Sequence, residues 1–436
     1  MRVWLCWCVL WLCGVVHAET YVYVTNSTAH TVQVSTVQSG AGTLAKGSTW
    51  GTEATEIPPY ATRKVLWMNR NVGIKNGKTY YFDTRISAAG SVVTLKQKLT
   101  GTFSSSNLSH SASDASFTDP WYGDRDIHTR ATQYAGLASK VSYRAEFTGG
   151  YDDLYYIIQP DNQPERASKD NEFKLLTYNL WALPPVSSNN CVRLDEIANN
   201  LAGYDAVAVQ EAFDNDCRAA FLNKLRTQFP YQSSLVDIPD NIYQDGGTLI
   251  LSRWPILQDK TIVFDQCTGS DCLANKGANY VQVLKKGQIY HLTNTHAPSF
   301  DSDEARQLRK YAFGKIRGLL DAQSVASQDV VLIAGDMNVN KYKFPDDYAQ
   351  MLSILRATAP SSTGYKNTFD AGVNLNAGNG LSGGTVEYLD YVLVGSGTRQ
   401  PLSASNDVRV LRTLRPELWS IRDLSDHFPV AGLFSF

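Results

Sequence analysis

The sequence predicts a two-part chain: an antiparallel β-sandwich or barrel, then an α/β unit in which two sheets pack inside helical layers. Three observations carry this reading. Residues 19–158 alternate polar and apolar side chains with period two; residues 173–436 alternate apolar strands with helical stretches; and the polar stretch between them, 159–172, carries two prolines and reads as a linker. At 436 residues, 43% of them hydrophobic and 19% charged, the chain exceeds one ordinary domain and can build real cores.

The opening eighteen residues, MRVWLCWCVLWLCGVVHA, stand apart. Arg2, a short apolar run and the small-residue exit Val16-His17-Ala18 predict a secretory signal cleaved after Ala18. No later stretch is long and apolar enough for a membrane helix, so the mature protein is expected to be exported and soluble. Cleavage leaves 39 cationic residues against 42 acidic ones, a formal charge of −3. That faint acidity argues against a dedicated nucleic-acid partner, because polyanion binding needs clustered Lys and Arg.

Three of the seven cysteines (Cys6, Cys8, Cys13) leave with the signal. The remaining four allow three pairings, and proximity favours Cys267–Cys272 and Cys191–Cys217. A zinc site is the weaker reading, since CTGSDC has no matching second pair or nearby His.

Taken in order, TYVYVTN, HTVQVSTVQ, KTYYFDTRI and SVVTLKQKL are the strands of the first part, separated by Gly, Ser and Asn turns. In the second part FKLLTYN, DAVAVQE, GTLILS, ANYVQVL, QIYHLTNT, VVLIAGD, EYLDYVLV and HFPVAGLF are strands. Helices are expected at VRLDEIANNLAG, CRAAFLNKLRTQF and DSDEARQLRKYAFGKIRGLLDAQ.

Polar residues gather where these strands end: Asn179, Glu211, His296, Asp336 with Asn338, Asp390, and Asp426 with His427. Singly, each has a bland explanation. An Asn caps a turn, an Asp after Gly is a common turn acid, and a lone His is more often a satisfied core imidazole. Asp390 is harder to dismiss, because a carboxylate among Tyr388, Leu389 and Tyr391 is costly without a partner. Together they predict one crevice served by rigid strand ends. Glu211 with Asn179 and Asp426 offers hard oxygen ligands for Mg²⁺ or another divalent ion such as Mn²⁺ or Co²⁺. His296 and His427 can exchange protons near neutrality, with Asp390 orienting one imidazole. This set suits direct attack of water on a phosphodiester.

In the order KLLTYNLW, AVAVQEAFDN, DGGTLILSRWPI, NKGANYVQV, NTH, IAGDMNVNK, EYLDYVLV and LSDHFPV, the second part resembles the endonuclease/exonuclease/phosphatase superfamily. Within it, the chain is most similar to the secreted bacterial neutral sphingomyelinases, phosphodiesterases of the phospholipase C type. The resemblance covers residues 173–436 and implies a DNase-like four-layer α/β sandwich. It implies that Glu211 is the principal metal ligand with Asn179 beside it and Asp426 near the metal. It also implies that His427 is the general base oriented by Asp390, and that His296 serves the leaving-group side or the phosphate. Asp336 and Asn338 would orient water and grip a phosphoryl oxygen, with Lys276 as a further phosphate contact. The implied reaction converts sphingomyelin, or a related choline phospholipid in a membrane, to ceramide and phosphocholine. Two departures stand out. The segment PELWSIRDLSDH is too short for the aromatic hairpin by which some family members enter membranes, leaving Trp419 alone. The leader domain lies outside the core family pattern, and its aromatic segments (WYGD at 121–124, YDDLYY at 151–156, WMNRN at 67–71) offer a lipid-facing edge for peripheral membrane contact. Alternative readings are a secreted nuclease or phosphoinositide phosphatase of the same superfamily, or a lipid-binding lytic toxin led by the first domain.

Overall fold

The computed structural model describes residues 19–238, 244–378 and 384–436. The expected signal segment, 1–18, lies outside the described residues. The chain divides into two compact units, Met1–Asp161 and Asn162–Phe436.

The first unit is all-β among the described residues. One sheet orders Trp50–Thr52, Thr62–Asn69, Glu19–Asn26, Asp152–Pro160, Leu137–Phe147 and His128–Tyr134; the other orders Glu56–Ile57, Val32–Gly40, Thr79–Ala88, Ser91–Gly101 and Ser106–Ser113. Alternation sorts side chains inward: along Ser91–Gly101, Val93, Leu95, Gln97 and Leu99 are fully buried. Side chains of the two sheets meet inside, as where Gln97 Nε2 donates to Tyr156 Oη at 3.4 Å and the Trp50 ring sits 5.6 Å from that of Phe82. The unit is therefore a sandwich. Its strands depart from a purely antiparallel pairing where Glu19–Asn26 and Asp152–Pro160 run in parallel, in register from Val22↔Leu154 to Asn26↔Ile158. Parallel neighbours need a long connection, and here the rest of the unit supplies it.

The second unit is a four-layer α/β sandwich. A seven-stranded sheet, with Glu172–Asn179 between Ala206–Gln210 and Val430–Ser435, packs on a six-stranded sheet built on Gly277–Lys285, Gln288–His296, Val330–Asp336 and Asp390–Gly395. Period two decides the layers. From Glu172–Asn179, Phe173 and Leu175 enter the core between the sheets, where the Phe173 and Tyr290 rings stack at 4.1 Å. Leu176 and Tyr178 point the other way, onto Leu194, Ile197 and Phe221 of helices Asn190–Asn199 and Asn215–Leu225. Helices Asp303–Asp321 and Pro345–Leu355 cover the six-stranded sheet with Phe313, Ile316, Met351 and Leu355. Both expected disulfides form, Cys191–Cys217 and Cys267–Cys272, with Cα atoms 4.6 and 5.1 Å apart.

Candidate active site

Strand polarity brings the candidate residues to one edge. Asn179, His296 and Asp336 are the last residues of their strands, and Glu211 follows directly on Gln210. Asp390 begins an antiparallel strand in register with Asp336, while His296 pairs with Asp336 from the other side. His427 lies three residues before the closing strand. Gly335 permits this convergence: its φ is +145°, and a Cβ there would fall 2.1 Å from the Thr295 carbonyl oxygen. Gly247, at φ +60°, accepts the Ala212 N–H at 2.9 Å, and a Cβ on it would meet the Phe213 ring at 2.8 Å, so the DGG motif seats the loop bearing Glu211. Glu211 (φ 52°) and Asn338 (φ 50°) adopt left-handed backbone without being glycine, a strain of roughly 1–3 kcal/mol that clusters where side chains must be aimed.

The distances define a single site. Asn179 Nδ2 donates to Glu211 Oε1 at 2.9 Å and to Asp336 Oδ2 at 3.0 Å. His296 Nε2 lies 3.7 Å from Glu211 Oε1 and 3.7 Å from Asp336 Oδ2. His427 Nδ1 donates to Asp390 Oδ2 at 2.9 Å, and its Nε2 lies 3.9 Å from Asp336 Oδ2. Lys276, 7% exposed, reaches His296 Nε2 at 3.2 Å, Ser299 Oγ at 2.7 Å and Asp271 Oδ1 at 2.9 Å; it is an interior cation, not a surface lysine. Asn338 donates from Nδ2 to the Ala297 carbonyl at 3.0 Å, and its N–H reaches Asp336 Oδ1 at 3.0 Å. Asp426 is tied to this edge through its neighbour Ser425, whose hydroxyl donates to the Asn179 carbonyl at 2.7 Å and lies 3.2 Å from Asp426 Oδ1.

Electrostatics split the groups. Burial, reinforced by Asp390, pushes the Asp336 carboxyl up to about 6. Burial with Glu211 nearby pushes Asp426 up to about 7, and burial raises Glu211 itself. Burial works against a charged His427, but Asp390, Asp426 and Asp336 outweigh it and hold its imidazolium well above the usual range. His296 goes the other way: burial, then Lys276, then His427 keep it neutral. Two buried atoms, Asp390 Oδ1 and His296 Nδ1, have no hydrogen-bond partner among the described residues. Ligand atoms of Glu211, His296 and Asp336 lie within 4.8 Å of one another, as do those of Asp336, Asp390 and His427. Crowded, incompletely satisfied acids of this kind fit a bound divalent cation.

Positioning residues escaped the sequence reading. Arg193, fully buried, donates to the carbonyls of Leu180 (2.9 Å), Trp181 (2.6 Å), Ser188 (2.9 Å) and Leu424 (2.8 Å), tying the loop after Asn179 to the segment before Asp426. Its signal was an arginine four residues before Ile197 on the buried helix face. Thr368 Oγ1 accepts the Leu389 N–H at 2.8 Å, and the Phe369 ring meets that of His427 edge-on at 5.3 Å. Nothing in the sequence near Thr368 announces that role. Trp419 is 5% exposed and packs inward, so it is not a membrane-facing tip.

Acids, amides and two imidazoles at the strand ends of a four-layer sandwich define a phosphodiester-hydrolase class of site. The endonuclease/exonuclease/phosphatase family pattern matches residues 176–427. Sphingomyelinase C of Listeria ivanovii is 31% identical over 261 residues, 54% of this chain and 76% of that protein; Sphingomyelinase C of Bacillus cereus is 28% identical over 313 residues, 64% and 92%. The structure of a Staphylococcus aureus beta toxin mutant with bound magnesium ions aligns at TM-score 0.55 and 26% identity, covering 61% of this chain and all of that one. The chain belongs to the endonuclease/exonuclease/phosphatase family, in which it groups with the sphingomyelinases, and is a hydrolase.

Proposed function

We propose that the protein is an exported, divalent-metal-dependent phosphodiesterase that hydrolyses sphingomyelin to ceramide and phosphocholine. The observation that carries this is the convergence of Asn179, Glu211, His296, Asp336, Asp390 and His427 on one edge. The substrate is supported by the similarity to the sphingomyelinases of Listeria ivanovii and Bacillus cereus. Export is supported by the signal-like opening residues and the two disulfides.

Glu211, with Asn179 and Asp426, would hold the cation, Mg²⁺ or in its place Mn²⁺ or Co²⁺. Bound there, the ion supplies positive charge for the phosphate and the departing oxygen. Asp390 fixes the Nδ1–H tautomer of His427, leaving Nε2 as the atom that accepts a proton from the attacking water. Of the three acids that favour imidazolium on His427, Asp426 would be committed to the cation, which weakens that field. Asp336 orients the water. Asn338 and the Lys276 ammonium would hold the phosphoryl oxygens and offset their charge, and neutral His296, whose Nε2 accepts from Lys276, would steady that ammonium.

A cleft of about 560 Å³ adjoins the cluster at Asn338 and is lined by Phe300, Tyr342, Val386, Asp301 and Glu387. The exposed Phe300, Tyr342 and Val386 suit a lipid surface, and Glu387 suits a cationic headgroup, Asp301 being paired with Lys343 at 2.7 Å on the same wall. Among the described residues no helix is long and apolar enough to cross a membrane, which fits peripheral contact.

The test is a panel of sphingomyelin, phosphatidylcholine, a phosphoinositide and plasmid DNA, each with Mg²⁺ and with EDTA. Phosphocholine release from sphingomyelin in Mg²⁺ alone is expected. Nicked DNA or free phosphate without phosphocholine would replace this reading with a nuclease or a phosphatase. Membrane lysis that persists in EDTA would assign the lytic action to the first unit.

A further inference from the structure

The first unit carries a second gathering of ligand-type side chains, all within that compact unit. His110 lies on strand Ser106–Ser113 of one sheet, His128 opens strand His128–Tyr134 of the other, and Asp124 sits in the segment between them. One ligand atom from each lies within 4.8 Å of the other two. His128 Nε2 and Asp124 Oδ1 are 2.8 Å apart. His110 is 1% exposed, yet its Nε2 has no hydrogen-bond partner among the described residues. An interior imidazole nitrogen left bare carries a desolvation penalty that a ligand at that nitrogen removes.

The surroundings hold this arrangement in place. His110 and Tyr122 exchange two main-chain hydrogen bonds, each 2.9 Å, which pin the intervening segment across the strand. The Tyr122 ring stacks on His128 at 3.5 Å, and Tyr143 meets His110 edge-on at 5.8 Å. Asp119, buried beneath, accepts hydrogen bonds from Tyr143 and Arg130. Both imidazoles are thus fixed by packing, and the Asp124 side chain is 45% exposed to solvent.

We propose that His110, Asp124 and His128 bind Zn²⁺ or a neighbouring late first-row divalent ion. Two imidazoles and one carboxylate favour such ions over Mg²⁺, which takes oxygen ligands. With bonds of about 2.1 Å, tetrahedral ligands stand about 3.4 Å apart. The His128–Asp124 pair therefore opens slightly and His110 closes toward it. Three protein ligands leave the fourth position for water or a further ligand, as in open zinc sites.

The experiment uses the full chain with Mg²⁺ in excess, so that the acidic hydrolase site is saturated alike in every variant. Zn²⁺ is titrated by equilibrium dialysis with metal analysis, and thermal unfolding is followed with and without Zn²⁺. Wild type is expected to bind one more equivalent of Zn²⁺ than either H128Q or D124N, and only wild type gains Tm from that equivalent. Both substitutions change side chains with solvent exposure, and circular dichroism verifies that each variant folds. Equal stoichiometry and equal Tm gain in wild type, H128Q and D124N would overturn the proposal and leave the cluster a packed histidine beside a surface ion pair.

Discussion

At the starts of the strands in the second unit, Asp205 accepts from Ser168 Oγ (2.7 Å), Trp254 Nε1 (2.7 Å) and the Lys174 N–H (2.8 Å), and it faces Lys285 Nζ at 3.1 Å. Lys174 Nζ in turn meets Glu165 at 2.6 Å. At the opposite strand ends, Glu211, Asp336, Asp390 and Asp426 crowd together near buried Lys276, and Asp390 Oδ1 has no hydrogen-bond partner among the described residues. Charge of similar burial is saturated at one end and frustrated at the other. The saturated end is built for the fold. The frustrated end costs the metal-free fold some stability and is retained for chemistry.

The largest effect that would sharpen this contrast is on turnover. H427N, whose amide can still donate to Asp390 Oδ2, should lower kcat about 10²–10⁴-fold while Tm moves by no more than about 2 °C, read from phosphocholine release and from a thermal melt of the same sample. A parallel collapse of Tm would make His427 a structural residue and break the comparison. D205N should do the reverse. Removing one partner of a buried pair costs about 3–5 kcal/mol, so denaturant unfolding should shift strongly while the folded fraction keeps its specific activity.

Next in size is a pH effect in EDTA. Asp336 at about 6 and Asp426 at about 7 are raised above the ordinary 3.8, so the folded protein holds protons that the unfolded chain has released. The contribution of these two acids to metal-free stability therefore grows as pH falls from about 7 toward 4, against the opposite contribution of His296 and His110, which burial keeps from taking up the protons that the unfolded chain binds. In EDTA the stability of wild type relative to D336N should improve as pH falls from about 7 to 4; a difference that stays constant across this window would contradict the frustrated-site account. The smallest effect belongs to the surface. Arg166 and Glu172 form a two-pronged pair at 2.8 Å, and the hydrogen bond from Arg166, then that from the Lys169 N–H, hold Glu172 down at about 2. The contribution is complete above pH 4.5 and fades toward 2, and because the pair is solvated, E172Q should shift Tm at neutral pH by under about 1 °C.

Much of this was legible in the chain itself. Period-two burial separates Phe173 and Leu175 from Leu176 and Tyr178, and that alternation is visible in FKLLTYN. The strand-end positions of Asn179, Glu211, His296 and Asp336 follow from where each apolar run stops. What stayed hidden depends on three-dimensional return of the chain. Lys276 enters only through the NKG resemblance; its interior place, enclosed by the Cys267–Cys272 loop and Asp271, is not visible in the spacing. Arg193 looks like a helix-surface cation until four carbonyls converge on its guanidinium. The parallel neighbour of Glu19–Asn26 is more than a hundred residues away, and no local pattern specifies so distant a partner.

That last pairing has a temporal consequence. A ribosome delivers Glu19–Asn26 first and Asp152–Pro160 last, so a strand destined for the middle of its sheet waits with one side bare until the whole unit has emerged. During that interval TYVYVT is an apolar, β-prone ribbon with open amides, and whatever shields it then decides how much of the protein escapes aggregation.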